Sequence, residues 1–322
     1  MIVLVTGASG FLGRAVAARL VASGHQVRTM QRRPSGVEGA VDILGSITSP
    51  TDVARAIQGA EGIVHLAAKV SLAGHEDEFR AVNVAGTRSL LDEAERAGVA
   101  RFVHVSSPSV AHAGRALAGV GAEPADPRRA RGAYARTKAE AELIALARDS
   151  SSLPVVAVRP HLVWGPGDTQ LVARIVDRAR RGRLPLLNGG TALIDSTYID
   201  NAASGIAAAL DRAHISHGRA FVLTNGEPRP VGELLAGICL AAGAPRPRWS
   251  VPAWLGRTAG GAIEQLWRVA PGNGEPPMTR FLAEQLSTAH WFDQRETRRA
   301  LDWSPSVSID EGLQRLAASY AG

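Results

Sequence analysis

The sequence predicts an α/β fold, a parallel sheet wound on both faces by helices, with a smaller, mainly helical C-terminal lobe. Three observations lead there. Short β-branched runs alternate with helical spans through the first half of the chain, the pattern of consecutive strand–helix–strand units. The first run, Ile2-Val-Leu-Val5, ends directly in a glycine turn that opens a helix. Finally, 322 residues, 45% hydrophobic and 20% charged, suffice for one such unit and an appended lobe with large buried cores.

Taken in order, the turn after Val5 leads into a helix read over Arg14 to Ser23 and closed by Gly24, and Gln26 to Met30 is the second strand. Ser49-Pro50-Thr-Asp52 gives an N-cap, a first-turn proline and an acidic third position, and Gly59 stops that helix. Ile63-Val-His-Leu66 is a buried strand. One long helix runs through Asn83 to Ala97 and stops at Gly98. Arg101-Phe-Val-His-Val105 is the next strand, running into Ser106-Ser107. A long connection, 108–132, precedes the helix of Tyr134 and Lys138, and Val155-Val-Ala-Val158 follows as a strand. Beyond Pro160 the alternation weakens: 169–181 is helical, a helix begins near Asp200, and Arg219 to Thr224 is one more strand. Residues 225–322 are mainly helical and carry Trp249, Trp254, Trp267, Trp291 and Trp303; Ser308-Ile-Asp-Glu311 is a capping box opening the last helix. The expected division is 1–165, with a return segment near 196–224, as the dinucleotide-binding domain. Residues 166–195 and 225–322 form the smaller substrate-binding lobe.

Composition narrows the function. Cys239 is the single cysteine and lies in an apolar helical run, which excludes an intramolecular disulfide framework and reads as an inert core thiol. The nine histidines show no metal-binding spacing, so no metal is expected. The N-terminal run has no basic leader and no apolar stretch spans a bilayer, so a cytoplasmic protein without a transmembrane segment is expected. Net charge is +6, but the arginine clusters Arg128-Arg129-Ala-Arg131 and Arg178-Ala-Arg180-Arg181-Gly-Arg183 lack interleaved aromatics. They read as solvated faces and helix ends, not as a nucleic-acid surface, while anionic ligands of another kind stay open.

Gly7-Ala-Ser-Gly10-Phe-Leu-Gly13 permits a tight turn and close backbone approach to a pyrophosphate at a helix N-terminus, the Rossmann-type arrangement. An NAD site of this kind carries an acid at the end of the second strand for the ribose 2′-hydroxyl. Here Gln31-Arg32-Arg33 stands there, and a guanidinium can hold a 2′-phosphate that a carboxylate would repel, which argues for NADP(H).

Tyr134 and Lys138 are four residues apart and share a helix face. The chain has three tyrosines and only two lysines, Lys69 and Lys138, so a retained Tyr-x-x-x-Lys is informative. An ammonium near a phenol, together with a bound oxidised nicotinamide, is expected to lower the phenol's pKa from about 10 toward neutrality. Ser107, at the carboxyl end of a strand, can converge on the same crevice. In a reduction Tyr134 would protonate the nascent alkoxide, Ser107 would hold the carbonyl oxygen and Lys138 would bind the nicotinamide ribose. Ser106 and Ser109 compete with Ser107, and spacing does not choose among them. Asn83 and His104 read as core residues. His161 and Trp164 lie either beside the nicotinamide or in a plain loop.

With the glycine turn, Ser107, Tyr134 and Lys138 on the page, the chain resembles the extended short-chain dehydrogenase/reductases over its whole length. The likeness continues through His65-Leu-Ala-Ala68, Asn83-Val-Ala-Gly-Thr87 and Tyr198-Ile-Asp-Asn201. Ser106-Ser-Pro-Ser-Val110 and Arg159-Pro-His-Leu-Val-Trp-Gly-Pro-Gly-Asp168 look like its 3β-hydroxysteroid dehydrogenase branch. Asp195-Ser-Thr-Tyr-Ile-Asp-Asn-Ala-Ala203, Asn225-Gly-Glu-Pro228 and Gly274-Glu-Pro-Pro-Met-Thr-Arg-Phe-Leu282 are similar to the NADPH-dependent 2-alkyl-3-oxoalkanoate reductases of bacterial long-chain olefin biosynthesis. The resemblance implies reduction of a long-chain β-keto acid, association with a β-lactone synthetase and a β-lactone decarboxylase, and a homodimer. It selects Ser107 as the catalytic serine. It also places Gly7, Ser9, Gly10, Phe11, Leu12, Gly13, Gln31, Arg32, Arg33, Ala67, Lys138, Pro160 and His161 against the cofactor. The apolar, Trp-bearing segment 249–269 suits alkyl chains or the lobe's own core equally. Competing readings are a 3β-hydroxysteroid dehydrogenase, a sugar-nucleotide epimerase and a non-catalytic dinucleotide sensor; the retained Tyr/Lys pair argues against the last.

Overall fold

A computed structural model describes residues 1–71, 74–112, 114–269 and 279–321. In chain order the first half runs β1 (Ile2–Thr6), α1 (Phe11–Ala22), β2 (Gln26–Gln31), β3 (Ala40–Leu44), α2 (Pro50–Ile57), β4 (Gly62–His65), α3 (Glu76–Phe79), α4 (Gly86–Arg96), β5 (Arg101–Val105), β6 (Leu117–Val120), α5 (Gly132–Ala147) and β7 (Val155–Pro160). The second half runs β8 (Val163–Trp164), α6 (Leu171–Arg180), β9 (Leu186–Leu187), β10 (Leu193–Ile194), β11 (Thr197–Tyr198), α7 (Ile199–Asp211), α8 (Ala213–Ser216), β12 (Arg219–Leu223), β13 (Arg229–Pro230), α9 (Val231–Ala241), β14 (Ser250–Val251), α10 (Ala253–Val269), α11 (Arg280–Ser287), β15 (His290–Phe292), α12 (Arg295–Leu301) and α13 (Ile309–Ala321).

Among the described residues seven parallel strands form the main sheet in the order β12-β7-β5-β4-β1-β2-β3. Strand alternation sorts the side chains to two faces. Val3, Val5, Val103 and Val105 pack with Val16, Leu20, Ile206 and Leu210 of α1 and α7. Leu4, Ile63, Phe102 and Val155 pack on the other face with Val53, Leu90, Leu91 and Ala145 of α2, α4 and α5. Both faces are covered, which is why these strands read as unbroken apolar runs. The fold is the Rossmann-like doubly wound sheet that the alternation predicts, with a helical C-terminal region.

Several details differ from the sequence reading. Strand β3 was not anticipated, because its residues are largely exposed at the sheet edge and carry no continuous apolar run. The expected single helix through Asn83 is interrupted by a π-helical turn, Arg80–Ala85, between α3 and α4. The connection 108–132 holds β6, which pairs with β15 in a four-stranded sheet, β13-β10-β15-β6, outside the main one. Leu301 and Trp303 lie in the main-sheet core, and Trp303 Nε1 donates to Ser204 Oγ at 2.9 Å, so this tryptophan is not part of the lobe's own interior. That interior is built from Trp164, Ile175, Ile194, Tyr198, Leu235, Ile238 and Cys239. Gly274 to Met278 of the third resemblance stretch fall outside the described residues.

Candidate active site

The glycine turn is built as a dinucleotide cradle. Gly7 has φ +79°, and a Cβ there would stand 2.8 Å from the Ala67 amide nitrogen; at Gly13 it would stand 2.3 Å from the Gly7 carbonyl oxygen. Any side chain at either position would fill the space the backbone needs. Helix α1 starts at Gly10 without a side-chain cap or an acidic residue in its first turn, leaving N–H groups for an anion. These residues fit a nicotinamide dinucleotide, with Ser9, Phe11 and Leu12 on the turn and first helical residues beside the pyrophosphate position.

At the end of β2, Gln31 is buried. Its Nε2 donates to Thr29 Oγ1 at 3.0 Å and to Asp42 Oδ1 at 2.9 Å, while its Oε1 has no partner. An acid missed by the sequence reading is therefore nearby, supplied from β3 by the pairing of Thr29 with Asp42. Its carboxylate is engaged by Thr29, Gln31 and the Ser35 amide at 3.0 Å; burial works against ionisation there, but these hydrogen bonds hold the pKa below its ordinary value. Arg32 and Arg33 are exposed and form no salt bridge with a described residue.

Ser107 follows β5, whose last ladder bond runs from the Ser106 amide to the Val158 carbonyl at 2.7 Å. Its Oγ accepts from Ser109 Oγ at 3.0 Å and lies beside the Tyr134 phenol. Ser106 Oγ is buried and without a partner, so geometry separates the three serines: Ser107 meets the phenol, Ser109 backs it. Tyr134 sits in the first turn of α5 and Lys138 one turn on. Lys138 is 3% exposed, its Nζ donating to the Val105 carbonyl at 2.7 Å and lying 3.4 Å from His104 Nε2.

In the chain alone Lys138 does not supply the expected lowering of the phenol's pKa. Burial pushes Tyr134 up to about 12, only partly offset by the neighbouring Ser107 hydroxyl. The ammonium does not counter this, because Lys138 is turned to the end of β5 and burial lowers its own pKa to about 8, against an opposing pull from Glu142. A phenol held protonated is the form that donates to a carbonyl oxygen.

Below the pair runs a polar chain. Thr6 Oγ1 and His65 Nδ1 are 2.8 Å apart, His65 Nε2 and Thr87 Oγ1 2.8 Å, and Thr87 donates to the Asn83 carbonyl at 2.7 Å. Because Thr87 spends its proton on Asn83, His65 carries its proton on Nε2 in this network. The π-helical turn aims Asn83 inward: Oδ1 accepts the Lys69 amide at 2.7 Å and Nδ2 donates to Thr137 Oγ1 at 3.0 Å. Asn83 is a satisfied core amide.

Pro160 ends β7 opposite Leu223. His161 Nδ1 meets the Asp195 carbonyl at 2.7 Å, and its ring packs on Phe292 at 5.3 Å and His290 at 5.8 Å. His290 Nε2 and His112 Nδ1 are 3.2 Å apart. Burial lowers His161 to about 4 and His290 to about 3, so this cluster is neutral at pH 7. His112 and His290 were missed; the first lies five residues beyond Ser107, the only hint available, and the second is brought in by β15 pairing. Among the described residues no group could hold a metal, and no helix is long and apolar enough to cross a membrane.

This fold with this site defines an oxidoreductase that acts on a CH–OH/C=O pair and depends on a nicotinamide dinucleotide, which supplies the hydride when bound. The chain belongs to the NAD dependent epimerase/dehydratase family, among the extended short-chain dehydrogenase/reductases; the family pattern matches residues 3–224. It is 41% identical to the 2-alkyl-3-oxoalkanoate reductase of Stenotrophomonas maltophilia (strain K279a), covering 100% of both chains. It is 36% identical to the 2-alkyl-3-oxoalkanoate reductase of Shewanella oneidensis over 98% of this chain and 85% of the relative. A solved short-chain dehydrogenase/reductase superfamily protein from Agrobacterium tumefaciens with bound NAD superposes with a TM-score of 0.78 at 25% identity, over 99% of this chain and 97% of that one.

Proposed function

We propose that the protein reduces the 3-keto group of long-chain 2-alkyl-3-oxoalkanoic acids with NADPH, giving 2-alkyl-3-hydroxyalkanoic acids for olefin biosynthesis. The observation that carries the chemistry is the Ser107 hydroxyl beside the Tyr134 phenol, with Lys138 one helical turn away. The two full-length relatives named for this reaction support the substrate class. Ser107 orients the carbonyl oxygen, Tyr134 gives it the phenolic proton as the carbonyl carbon gains hydride, and Lys138 binds the nicotinamide ribose. Residues 1–165 and 196–224 hold the dinucleotide; 166–195 and 225–322 hold the substrate. Exposed Arg32 and Arg33, with Gln31 in place of an acid as the last residue of β2 and the neighbouring Asp42 engaged by Thr29, Gln31 and Ser35, support NADPH over NADH.

The test is turnover of a synthetic 2-alkyl-3-keto acid beside a sterol, with each nicotinamide, followed through the reduced cofactor. Wild type consumes NADPH with the keto acid, and Tyr134→Phe loses about 10²- to 10⁴-fold while still binding NADPH. Turnover of the sterol alone, or near-normal turnover by Tyr134→Phe, would refute the reading.

A further inference from the structure

Two stretches singled out in the sequence hold none of the catalytic residues: the arginine cluster 178–183 and the segment from Trp249 to Trp254. They are more than sixty residues apart in sequence, yet the fold joins them. Strand β14 pairs with β9 through Ser250 with Leu186 and Val251 with Leu187, and the Leu186 amide donates to the Trp249 carbonyl at 2.9 Å. Trp249 Nε1 donates to the Gly182 carbonyl at 3.3 Å, which lays the indole on the turn between Arg181 and Arg183. Arg180 Nη2 reaches the Ala242 carbonyl at 3.1 Å and draws the end of α9 to the same place.

The result is a basic and aromatic face. Trp249 is 49% exposed, Trp254 67% and Leu255 43%, and Leu240, near the end of α9, is 51% exposed. Arg180, Arg181, Arg183, Arg246 and Arg248 are exposed around them. Arg181 is paired with Asp177, whereas Arg183, Arg246 and Arg248 form no salt bridge with a described residue. No acidic residue occurs from 178 to 194 or from 234 to 263. Elsewhere many surface arginines are answered by carboxylates, as in Arg80–Glu140, Arg136–Glu76, Arg148–Asp92 and Arg229–Asp310.

We infer that this face docks the protein peripherally on an anionic lipid bilayer, the arginines meeting the headgroup charge and Trp254, Leu255 and Trp249 entering the interface. Unanswered arginines are attracted to such a surface within a Debye length. Indole rings beside exposed leucines suit the boundary between headgroups and acyl chains. A single-stranded nucleic acid would use the same arginines and stack on the tryptophans, but would leave Leu255 and Leu240 without a role. This docking concerns the surface alone and holds whether or not the proposed substrate is correct.

The experiment is sedimentation of the full chain with vesicles of phosphatidylcholine alone or mixed with phosphatidylglycerol, at low and high salt, with tryptophan emission recorded in parallel. The protein is expected to bind the anionic vesicles with a blue shift, to leave the neutral ones in solution, and to bind less as salt rises. Arg183→Gln/Arg246→Gln/Arg248→Gln should weaken binding about a hundredfold, about fivefold for each charge removed. Trp254→Ser, at a highly exposed position, should weaken it about fivefold and remove most of the blue shift. Circular dichroism establishes that each variant is folded. Absence of binding to anionic vesicles, or binding that the triple variant retains, overturns the proposal. So does an oligonucleotide that binds as tightly and is lost through the same substitutions.

Discussion

Lys138 shows why two residues on one helix face are not yet an interaction. The sequence places its ammonium near Tyr134, and the fold spends it on the Val105 carbonyl instead. What holds that geometry is a buried ion pair beneath the helix. Arg159 of β7 and Glu142 of α5 are 2% and 1% exposed. Arg159 Nε donates to Glu142 Oε2 at 2.9 Å, a second guanidinium nitrogen engages Oε1, and Nη1 donates to the Glu123 carbonyl at 2.6 Å. Removing one partner strands the other charge in the interior, so Arg159→Met should cost about 3–5 kcal/mol of stability. Arg159→Met/Glu142→Leu, which leaves no charge behind, should recover most of it. Chemical denaturation of the two variants reads both values. A loss of no more than about 1 kcal/mol for the single variant, the value of an exposed pair, would mean that this contact does not fix α5.

At the scale of elements, the proposed preference for NADPH rests on the end of β2. Gln31 is turned inward to Thr29 and Asp42, and the exposed Arg32 and Arg33 that follow it are the residues proposed to meet a 2′-phosphate. Arg32→Ser/Arg33→Ser should lower kcat/KM for NADPH by about ten- to a hundredfold, the value of one or two charge-assisted hydrogen bonds, and leave that for NADH nearly unchanged. Equal losses with both cofactors would assign these arginines another role. The same element marks where legibility ended. Gly7 and Gly13 could be read because a turn that admits no Cβ restricts its residue type, and β1, β4, β5 and β7 because strands buried on both faces restrict theirs. Strand β3 could not be read, since an exposed edge imposes no such pattern, and with it Asp42 was lost. The π-helical turn before α4 was also invisible: no glycine or proline marks Arg80–Ala85, and only the inward bonds of Asn83 report it. His290 and β6 come together through pairing of chain segments more than 170 residues apart, which no local signal encodes.

For the whole molecule, the buried histidines set the response to acid. Burial lowers His65 to about 3, His290 to about 3 and His161 to about 4, and lowers His104 and His112 as well. Each is neutral in the fold but takes up a proton near pH 6.5 once unfolded. Below that pH the unfolded chain binds more protons, so stability present above 6.5 is lost as pH falls. The slope is about 1.4 kcal/mol per pH unit for each such histidine. Asp195 acts with the opposite sign: burial raises it to about 6, so the folded form keeps a proton that the unfolded chain releases, and it offsets about one histidine over this range. The carboxylates held below their ordinary values, such as Asp42 and Glu76, lose their contribution only at still lower pH. Denaturation midpoints between pH 7 and 5 therefore read the histidines less the one opposing proton of Asp195. The midpoint should fall steeply across that interval, and His290→Gln should make the fall shallower by about one proton. A midpoint that stays level from pH 7 to 5 would mean that these rings are charged, or reached by water, in the folded protein.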